Sequence, residues 1–158
     1  MDRLDYSMEI IDVNDKKQTD ALLSLMNDYM LDDMGLNAEL PEELGAKIVK
    51  GLQHQNNYMG FLLKEGIRYV ALANCFIGFS TFKAKQVLNI HDFVVTPDYR
   101  RNGAGYTLLS NINDYCKQNN YGKVTLEVRK DNEKAMKLYL KSGFKDCNPR
   151  MYFWENIF

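Results

Sequence analysis

The sequence predicts a mixed α/β fold in which a mostly antiparallel central sheet is flanked by helices. Three observations carry this: β-rich or alternating runs, stretches with apolar residues at three- and four-residue spacing, and the order in which they come. That order is strand, two helices, three hairpin-linked strands, helix, strand, helix and two strands. A length of 158 residues suggests a single domain spanning 1–158. With 46% hydrophobic and 26% charged residues and only 3 prolines, the composition is that of a globular chain, not a disordered, collagenous or disulfide-scaffold one. A chain this long buries enough surface to fold without a metal or disulfide staple.

Met8–Val13 alternates weakly and reads as a first strand, after which Gln18-Thr19-Asp20 offers a helix cap. Leu22, Leu25, Met26, Tyr29 and Met30 follow at helical spacing, with Gly35 as the expected stop. Pro41 suits the start of a second helix carrying Leu44, Ile48 and Leu52 on one face. Residues 56–65 fit no single pattern. Tyr69–Ala73 and Phe76–Phe82 read as a hairpin broken at Asn74-Cys75, and Val87–Val95 as the third strand. Pro97 should end that strand. Leu108, Leu109, Ile112, Tyr115 and Cys116 mark an amphipathic helix ending near Asn120 and Gly122. Val124, Leu126 and Val128 alternate with polar residues as in a strand, and residues 133–142 form a helix stopped by Gly143. A turn at Asn148-Pro149 and the aromatic run Met151–Trp154 suggest a last hairpin.

Twenty basic residues balance 21 acidic ones, for a net charge of −1, so bulk charge offers nucleic acid no attraction. No basic-then-apolar leader opens the chain and no apolar run reaches about 18 residues, so a cytoplasmic protein without membrane association is expected. Cys75, Cys116 and Cys147 are odd in number and widely spaced, so packed, reduced thiols are expected, with no disulfide framework and no metal site.

The most informative stretch is Arg100-Arg101-Asn102-Gly103-Ala104-Gly105, between a strand and a helix. The first N–H groups of a helix lack partners and carry the positive end of its dipole, so backbone alone can bind a phosphate there. Glycines at 103 and 105 permit unusual dihedrals and close approach, and Arg100 or Arg101 can add charge-assisted contacts. A glycine-rich turn with two solvated arginines is the plainer reading of the same residues. No G-K-[ST] follows, and the preceding strands form a meander, so neither a Walker loop nor a dinucleotide fingerprint fits.

Two segments together resemble the GNAT family of acetyl-CoA-dependent N-acetyltransferases. Phe93-Val94-Val95-Thr96-Pro97-Asp98-Tyr99-Arg100-Arg101-Asn102-Gly103-Ala104-Gly105 is similar to the family's central strand and R-x-x-G-x-G pyrophosphate loop. Val128–Tyr139 with Gly143-Phe144 resembles its strand, asparagine, helix and Y-x-x-x-G-F signature. The likeness covers nearly the whole chain, and it implies the acyl-CoA N-acyltransferase fold with acetyl-CoA as co-substrate. It further implies that the backbone of Arg100, Arg101, Asn102, Gly103, Ala104, Gly105 and Tyr106 holds the pyrophosphate. Phe93, Val94 and Val95 would offer backbone to the pantetheine arm as an added strand does. Asn132 would contact the coenzyme as well as cap its helix.

By the same resemblance Tyr139 is the general acid for the departing thiolate, although alone it would read as a core tyrosine. Reference pKa values of about 10 and 8.5 make full transfer uphill by roughly 2 kcal/mol, compatible with partial donation. The base is open. His91 and Asp92 are candidates, but alternation sends them to opposite faces unless a bulge intervenes, and His91 shares parity with Phe93 and Val95. Val87–Val95 contains no glutamate of the kind many family members place near this strand. Asp28, Asp32, Asp33, Glu39, Glu42 and Glu43 form an acidic run that would attract a cationic acceptor, if it is more than solvated surface.

The expectation is therefore direct acetyl transfer to a primary amine, of a small molecule or a peptide, within a ternary complex. No covalent enzyme intermediate is expected, because the lone cysteines lack a Cys/His/Asp pattern. A catalytically silent acyl-CoA-binding module is the alternative, and an unrelated nucleotide binder a third. Tyr152, Trp154 and Phe158 read as interface or core, and a homodimer is favoured over a monomer.

Overall fold

A computed structural model describes residues 5–158. Five strands, β1 (Tyr6–Ile10), β2 (Tyr58–Glu65), β3 (Arg68–Ser80), β4 (Lys85–Val95) and β5 (Lys123–Leu126), form one sheet in the order β1-β2-β3-β4-β5. The first three pairings are antiparallel and β4–β5 is parallel. Helices α1 (Lys16–Leu31) and α2 (Glu42–Gln53) follow β1, α3 (Ala104–Gln118) bridges β4 and β5, and α4 (Glu133–Lys141) follows β5.

Two apolar layers hold the sheet. On one face Leu108, Leu109, Ile112 and Cys116 of α3 pack on Phe61, Ala71, Ala73, Cys75, Leu88 and Ile90. On the other, Leu22 and Leu25 of α1 and the partly buried Ile48 and Leu52 of α2 pack on Leu62, Leu72 and Val94. Each face thus takes alternate residues of the central strands. Leu44, expected on the inward stripe of α2, is exposed.

Several expected boundaries move for identifiable reasons. Helix α1 is capped by Asp15, whose carboxylate accepts from the Lys17 and Gln18 amides, so the helix begins ahead of Gln18-Thr19-Asp20. It ends at Leu31, before Gly35, because the Asp32 carboxylate accepts the Met34 amide and turns the chain. The break expected at Asn74-Cys75 is absent: β3 runs through it for 13 residues. Asn74 is buried within the strand because its side chain is fully partnered there. The antiparallel triple is therefore β2, β3 and β4, with the patternless residues 56–65 supplying β2.

The expected last hairpin does not form: no strand follows α4, and Met151, Tyr152, Phe153 and Trp154 are exposed. Cys75 and Cys116 are buried, whereas Cys147 is exposed, and all three are free. Among the described residues no helix is long and apolar enough to cross a membrane, and no cluster of His, Cys, Asp or Glu is arranged to hold a metal.

Candidate active site

Strands β4 and β5 pair only from Val87 with Lys123 to Ile90 with Leu126, while β4 continues to Val95. Beyond Ile90 the parallel strands part, and Phe93, Val94 and Val95 line one side of the opening. At its outer end lies the glycine loop. A short 3-10 turn (Pro97–Tyr99) leads to Arg101 at φ 64° and to Gly103 at φ 84°, the residue that precedes α3. No side chain caps this helix. Of the amides from 100 to 106, those of Arg100 and Asn102 donate to Pro97 and Tyr99 carbonyls. Those of Arg101, Gly103, Ala104, Gly105 and Tyr106 have no protein partner among the described residues.

Four contacts fix this loop. The Tyr6 hydroxyl donates to the Asn102 carbonyl at 3.1 Å, and the Asn102 side chain donates to the Asp98 carbonyl at 3.4 Å. Arg100 donates from Nε to the Val95 carbonyl at 3.0 Å and pairs through its terminal nitrogen with Asp32 at 2.8 Å. That side chain therefore ties the loop to the end of α1, and of the two exposed arginines Arg101 is the one without an ion pair or side-chain hydrogen bond among the described residues. The Met34 amide, followed by the Arg100 guanidinium, holds the Asp32 carboxyl below its ordinary range. Asp32 is consequently paired and does not belong to an open acidic lip.

The two glycines act differently. A Cβ at Gly103 would meet nothing within 4 Å, so this residue is needed for its positive φ and leaves the amides uncovered. A Cβ at Gly105 would lie 3.0 Å from Leu138, 3.4 Å from Val95 and 3.7 Å from Phe93, so its absence lets α3 start close against β4 and α4. Lys141, at the end of α4, sits with its ammonium 5.1 Å from the Tyr106 ring centre. It thus adds a cation beside the helix entrance that sequence reasoning missed, for want of any spacing that links it to the loop. Unpartnered amides, an open glycine and nearby cations fit a diphosphate.

Asn132 caps α4, its side-chain oxygen accepting from the Ala135 amide at 3.1 Å. Two turns on from that cap, Tyr139 packs edge-on against Phe93 and Phe144 at 6.1 and 6.0 Å between ring centres. Its hydroxyl has no hydrogen-bond partner among the described residues. Burial, with a smaller contribution from Tyr29, pushes its pKa up to about 12.

On the opposite face, β4 departs from regular alternation. Asn74 pairs with Asp92 while Cys75 pairs with Ile90, so His91 is an extra residue in β4. The bulge flips parity: Ile90 and Phe93 both face α3, and the intervening His91 and Asp92 face away from it. The expectation that His91 follows Phe93 and Val95 is therefore corrected, and the exception allowed for His91 and Asp92, an intervening bulge, is the case found. His91 packs edge-on against Phe76 at 5.7 Å, and Phe76 against Tyr58 at the same distance. The Tyr58 hydroxyl donates to Asn74 at 2.8 Å, and Asn74 donates to Asp92 at 3.1 Å and to the Met26 sulfur at 3.3 Å. The carboxylate of Asp92 is thus held by a buried amide anchored in the core. Asn74 had one legible signal, an amide side chain in the middle of an apolar run.

Tyr29, half-buried near the end of α1, joins the two faces electrostatically. Burial raises its pKa first, then Asp92; Arg129 opposes this and Asp32 adds to it. Because Tyr29 also acts on Tyr139, these groups share one region where β4 and β5 part. Arg129 is itself paired with Asp131 at 2.7 Å. The Cys75 thiol is pushed up by burial, and Cys116 to about 11 by the same cause, so neither is a ready thiolate near neutral pH.

The profile of the acetyltransferase (GNAT) family matches residues 22–144, and the chain belongs to that family. Over 96 residues the chain is 28% identical to the uncharacterized N-acetyltransferase YhfO of Bacillus subtilis (strain 168), covering 61% of this chain and 64% of the relative. Over 65 residues it is 32% identical to the ribosomal protein bS18-alanine N-acetyltransferase of Escherichia coli (strain K12), covering 41% and 44%. The matched region thus spans less than two thirds of either relative. Among solved structures, an aminoglycoside acetyltransferase from an uncultured soil metagenomic sample, in complex with sisomicin, superimposes with a TM-score of 0.77 at 18% identity, covering 96% of each chain. A probable acetyltransferase reaches 0.80 at 19% identity, covering 96% of this chain and 97% of its own. These likenesses show the acetyltransferase fold.

Proposed function

We propose that residues 1–158 act as a single-domain N-acetyltransferase that moves an acetyl group from acetyl-CoA to a primary amine by direct attack in a ternary complex. The observation that carries this reading is the row of unpartnered amides from Arg101 to Tyr106 at an open helix entrance, continuous with the gap between β4 and β5. Acetyl-CoA supplies the thioester carbon that the amine attacks.

Gly103, Ala104, Gly105 and Tyr106 hold the pyrophosphate by backbone, with Arg101 and Lys141 adding charge. Arg100 shapes the loop through Val95 and Asp32, and Asn102 through Tyr6 and Asp98. Phe93, Val94 and Val95 present the unpaired length of β4 to the pantetheine arm, and Asn132 sets the start of α4 beside it. An incoming ammonium is recognised by Asp92, whose orientation is fixed by Asn74. His91, exposed on the same face, takes the amine's proton as general base.

Tyr139 donates toward the leaving sulfur. With its pKa near 12 against about 8.5 for a thiol, complete transfer is uphill by roughly 5 kcal/mol, more than reference values imply. Its contribution is therefore a hydrogen bond to developing negative charge, offered by a hydroxyl with no competing protein partner. The two inert buried thiols support direct attack over a covalent route.

Asp92 and the remaining acidic side chains of the 28–43 segment favour a cationic acceptor, such as an aminosugar, a polyamine or a lysine side chain. The test is thiol release from acetyl-CoA across a panel of amines, with Tyr139→Phe as control. Turnover with cationic amines that falls in the variant is expected. Tight coenzyme binding without turnover on any amine would replace this reading with a silent acyl-CoA-binding module.

A further inference from the structure

The turn and loop that open α3 are gripped from the strands farthest from the β4–β5 opening. Tyr6 begins β1, Glu65 ends β2 and Arg68 begins β3, and the three stand directly opposite one another: Tyr6 pairs with Glu65, and Glu65 with Arg68. Side chains in such a row share one face of the sheet. Tyr6 packs against the core cluster under α3, so that face is the α3 face.

Each member of the row reaches the segment that carries the loop. The Tyr6 hydroxyl donates to the Asn102 carbonyl at 3.1 Å, and the Tyr99 hydroxyl donates to the Glu65 carboxylate at 3.2 Å. Arg68 donates to the Asp98 carboxylate at 3.2 Å, and its guanidinium lies 5.1 Å from the Tyr99 ring centre. Burial first, then Tyr99 and Glu65, raise the Tyr6 pKa, as expected of groups this close. Among these anchored residues lies Arg101, left-handed at φ 64°. A residue with a side chain stays in that region only where its surroundings over-determine it. Here both neighbours are held, Arg100 by its bond to the Val95 carbonyl and Asn102 by Tyr6. The backbone so fixed is the one that aims the unpartnered amides of Arg101 and of Gly103 to Tyr106.

We propose that Tyr6, Glu65 and Arg68 are positioning residues for the coenzyme. Acting through Asn102, Tyr99 and Asp98, the row sets the loop amides in their binding arrangement before any coenzyme arrives. The proposal rests on the acetyl-transfer reading for what the loop binds. Without the row the loop visits other arrangements, and apparent affinity falls with the fraction that stays competent. None of the row's contacts reaches Tyr139, His91 or Asp92, so the loss falls on coenzyme binding and not on turnover.

The experiment is calorimetric titration of the full chain with coenzyme A, beside thermal melts and steady-state kinetics. Tyr6→Phe/Tyr99→Phe removes two hydroxyls and keeps both rings. Its Kd for coenzyme A and KM for acetyl-CoA should rise at least about fivefold, the low end of what two hydrogen bonds are worth, with kcat and the amine KM unchanged. Tyr69→Phe is the matched control, because the Tyr69 hydroxyl donates to Glu9 at 2.8 Å on the opposite face. It should lower Tm and leave coenzyme affinity alone. Glu65→Gln, which keeps an acceptor for Tyr99, should retain the affinity that Glu65→Leu loses. A double variant with lowered Tm and unchanged Kd overturns the proposal, since the row would then be structural only. An equal rise of Kd in Tyr69→Phe, or a fall in kcat at unchanged KM for acetyl-CoA, overturns it as well. Failure of the unaltered chain to bind coenzyme A is the distinct result that removes the acetyl-transfer reading, and this inference with it.

Discussion

Gly103→Ala separates the conformational role of the glycine loop from its binding role. At φ 84° and ψ −7° the residue is left-handed, and an added Cβ meets no atom within 4 Å. Sterics with the protein contribute nothing, so the stability change is the cost of a left-handed alanine, about 1 kcal/mol. In a chain of this length that lowers Tm by roughly 2–4 °C. The same methyl group stands in the open space over the free amides, where a diphosphate must approach. Loss or lengthening of one charge-assisted hydrogen bond, at about 1.5–3 kcal/mol, weakens coenzyme A binding by tenfold to about 150-fold. Calorimetric titration with coenzyme A, beside a thermal melt, reads both effects. Gly105→Ala is the internal control: its Cβ points at Leu138, Val95 and Phe93, and helix propensity opposes the tight contact, so stability should change by under about 1 kcal/mol. An unchanged coenzyme affinity in Gly103→Ala, with the expected fall in Tm, would refute the placement of the anion over this helix entrance.

Tyr139→Phe should lower kcat by about tenfold to 150-fold, the value of one hydrogen bond to a charge, and leave Tm unchanged because the hydroxyl has no partner to lose. The raised Tyr139 pKa also predicts an alkaline limb of stability. The unfolded phenol ionises near pH 10 and the folded one near 12, so the unfolded state sheds its proton first and stability falls across that window by about 2–3 kcal/mol. Urea titrations at pH 9 and 11.5 should show that fall in wild type and a smaller one in Tyr139→Phe. Asn74→Leu should cost about 1–3 kcal/mol by orphaning the Tyr58 hydroxyl and should raise the KM for the amine by freeing Asp92, whereas Asp92→Asn should raise KM with little effect on stability. For Asp32 the folded pKa is depressed, so its stabilisation is present above the ordinary carboxylate range and lost as pH falls through the folded value. Asp32→Asn should therefore be less stable than wild type at pH 7 and converge with it in acid melts.

Most of the candidate coenzyme side was legible because its local structure depends on local rules. A proline ending a strand, glycines before an apolar helical stripe and an asparagine ahead of a short helix each act within a few residues, and each is found where the spacing puts it. The amine side was not legible because its geometry is set between strands. Nothing in Asn89-Ile90-His91-Asp92-Phe93 announces that one residue will be left out of the ladder. That choice follows from Ile90 and Phe93 both needing the α3 core, which period-two alternation cannot grant without an extra residue. The same long-range cause misplaced Asn74: read locally, an amide in an apolar run is a turn, but Tyr58 from β2 and Asp92 from β4 supply its partners across the sheet. Arg100 shows the converse, since a motif can name an arginine without revealing that Asp32, far away in sequence, has already claimed it.

The irregularities are also where the candidate catalytic side chains gather. In a regular β4, Asp92 would stand alone on its face, and His91 would point at α3, inside the core. The bulge moves the histidine out to Phe76 beside Asp92, while Phe93 stays inward against Tyr139. One extra residue thus sets the candidate amine-handling pair on one side of a strand and the candidate acid on the other, with the end of the β4–β5 ladder next to both. Deleting His91 would restore alternation with Ile90 and Phe93 still toward α3 and Asp92 still away from it, so the deletion removes the bulge together with the imidazole. The deletion should therefore cost about as much activity as His91→Ala, which removes the imidazole and keeps the bulge. A far larger loss in the deletion would mean that the bulge contributes more than the placing of that imidazole.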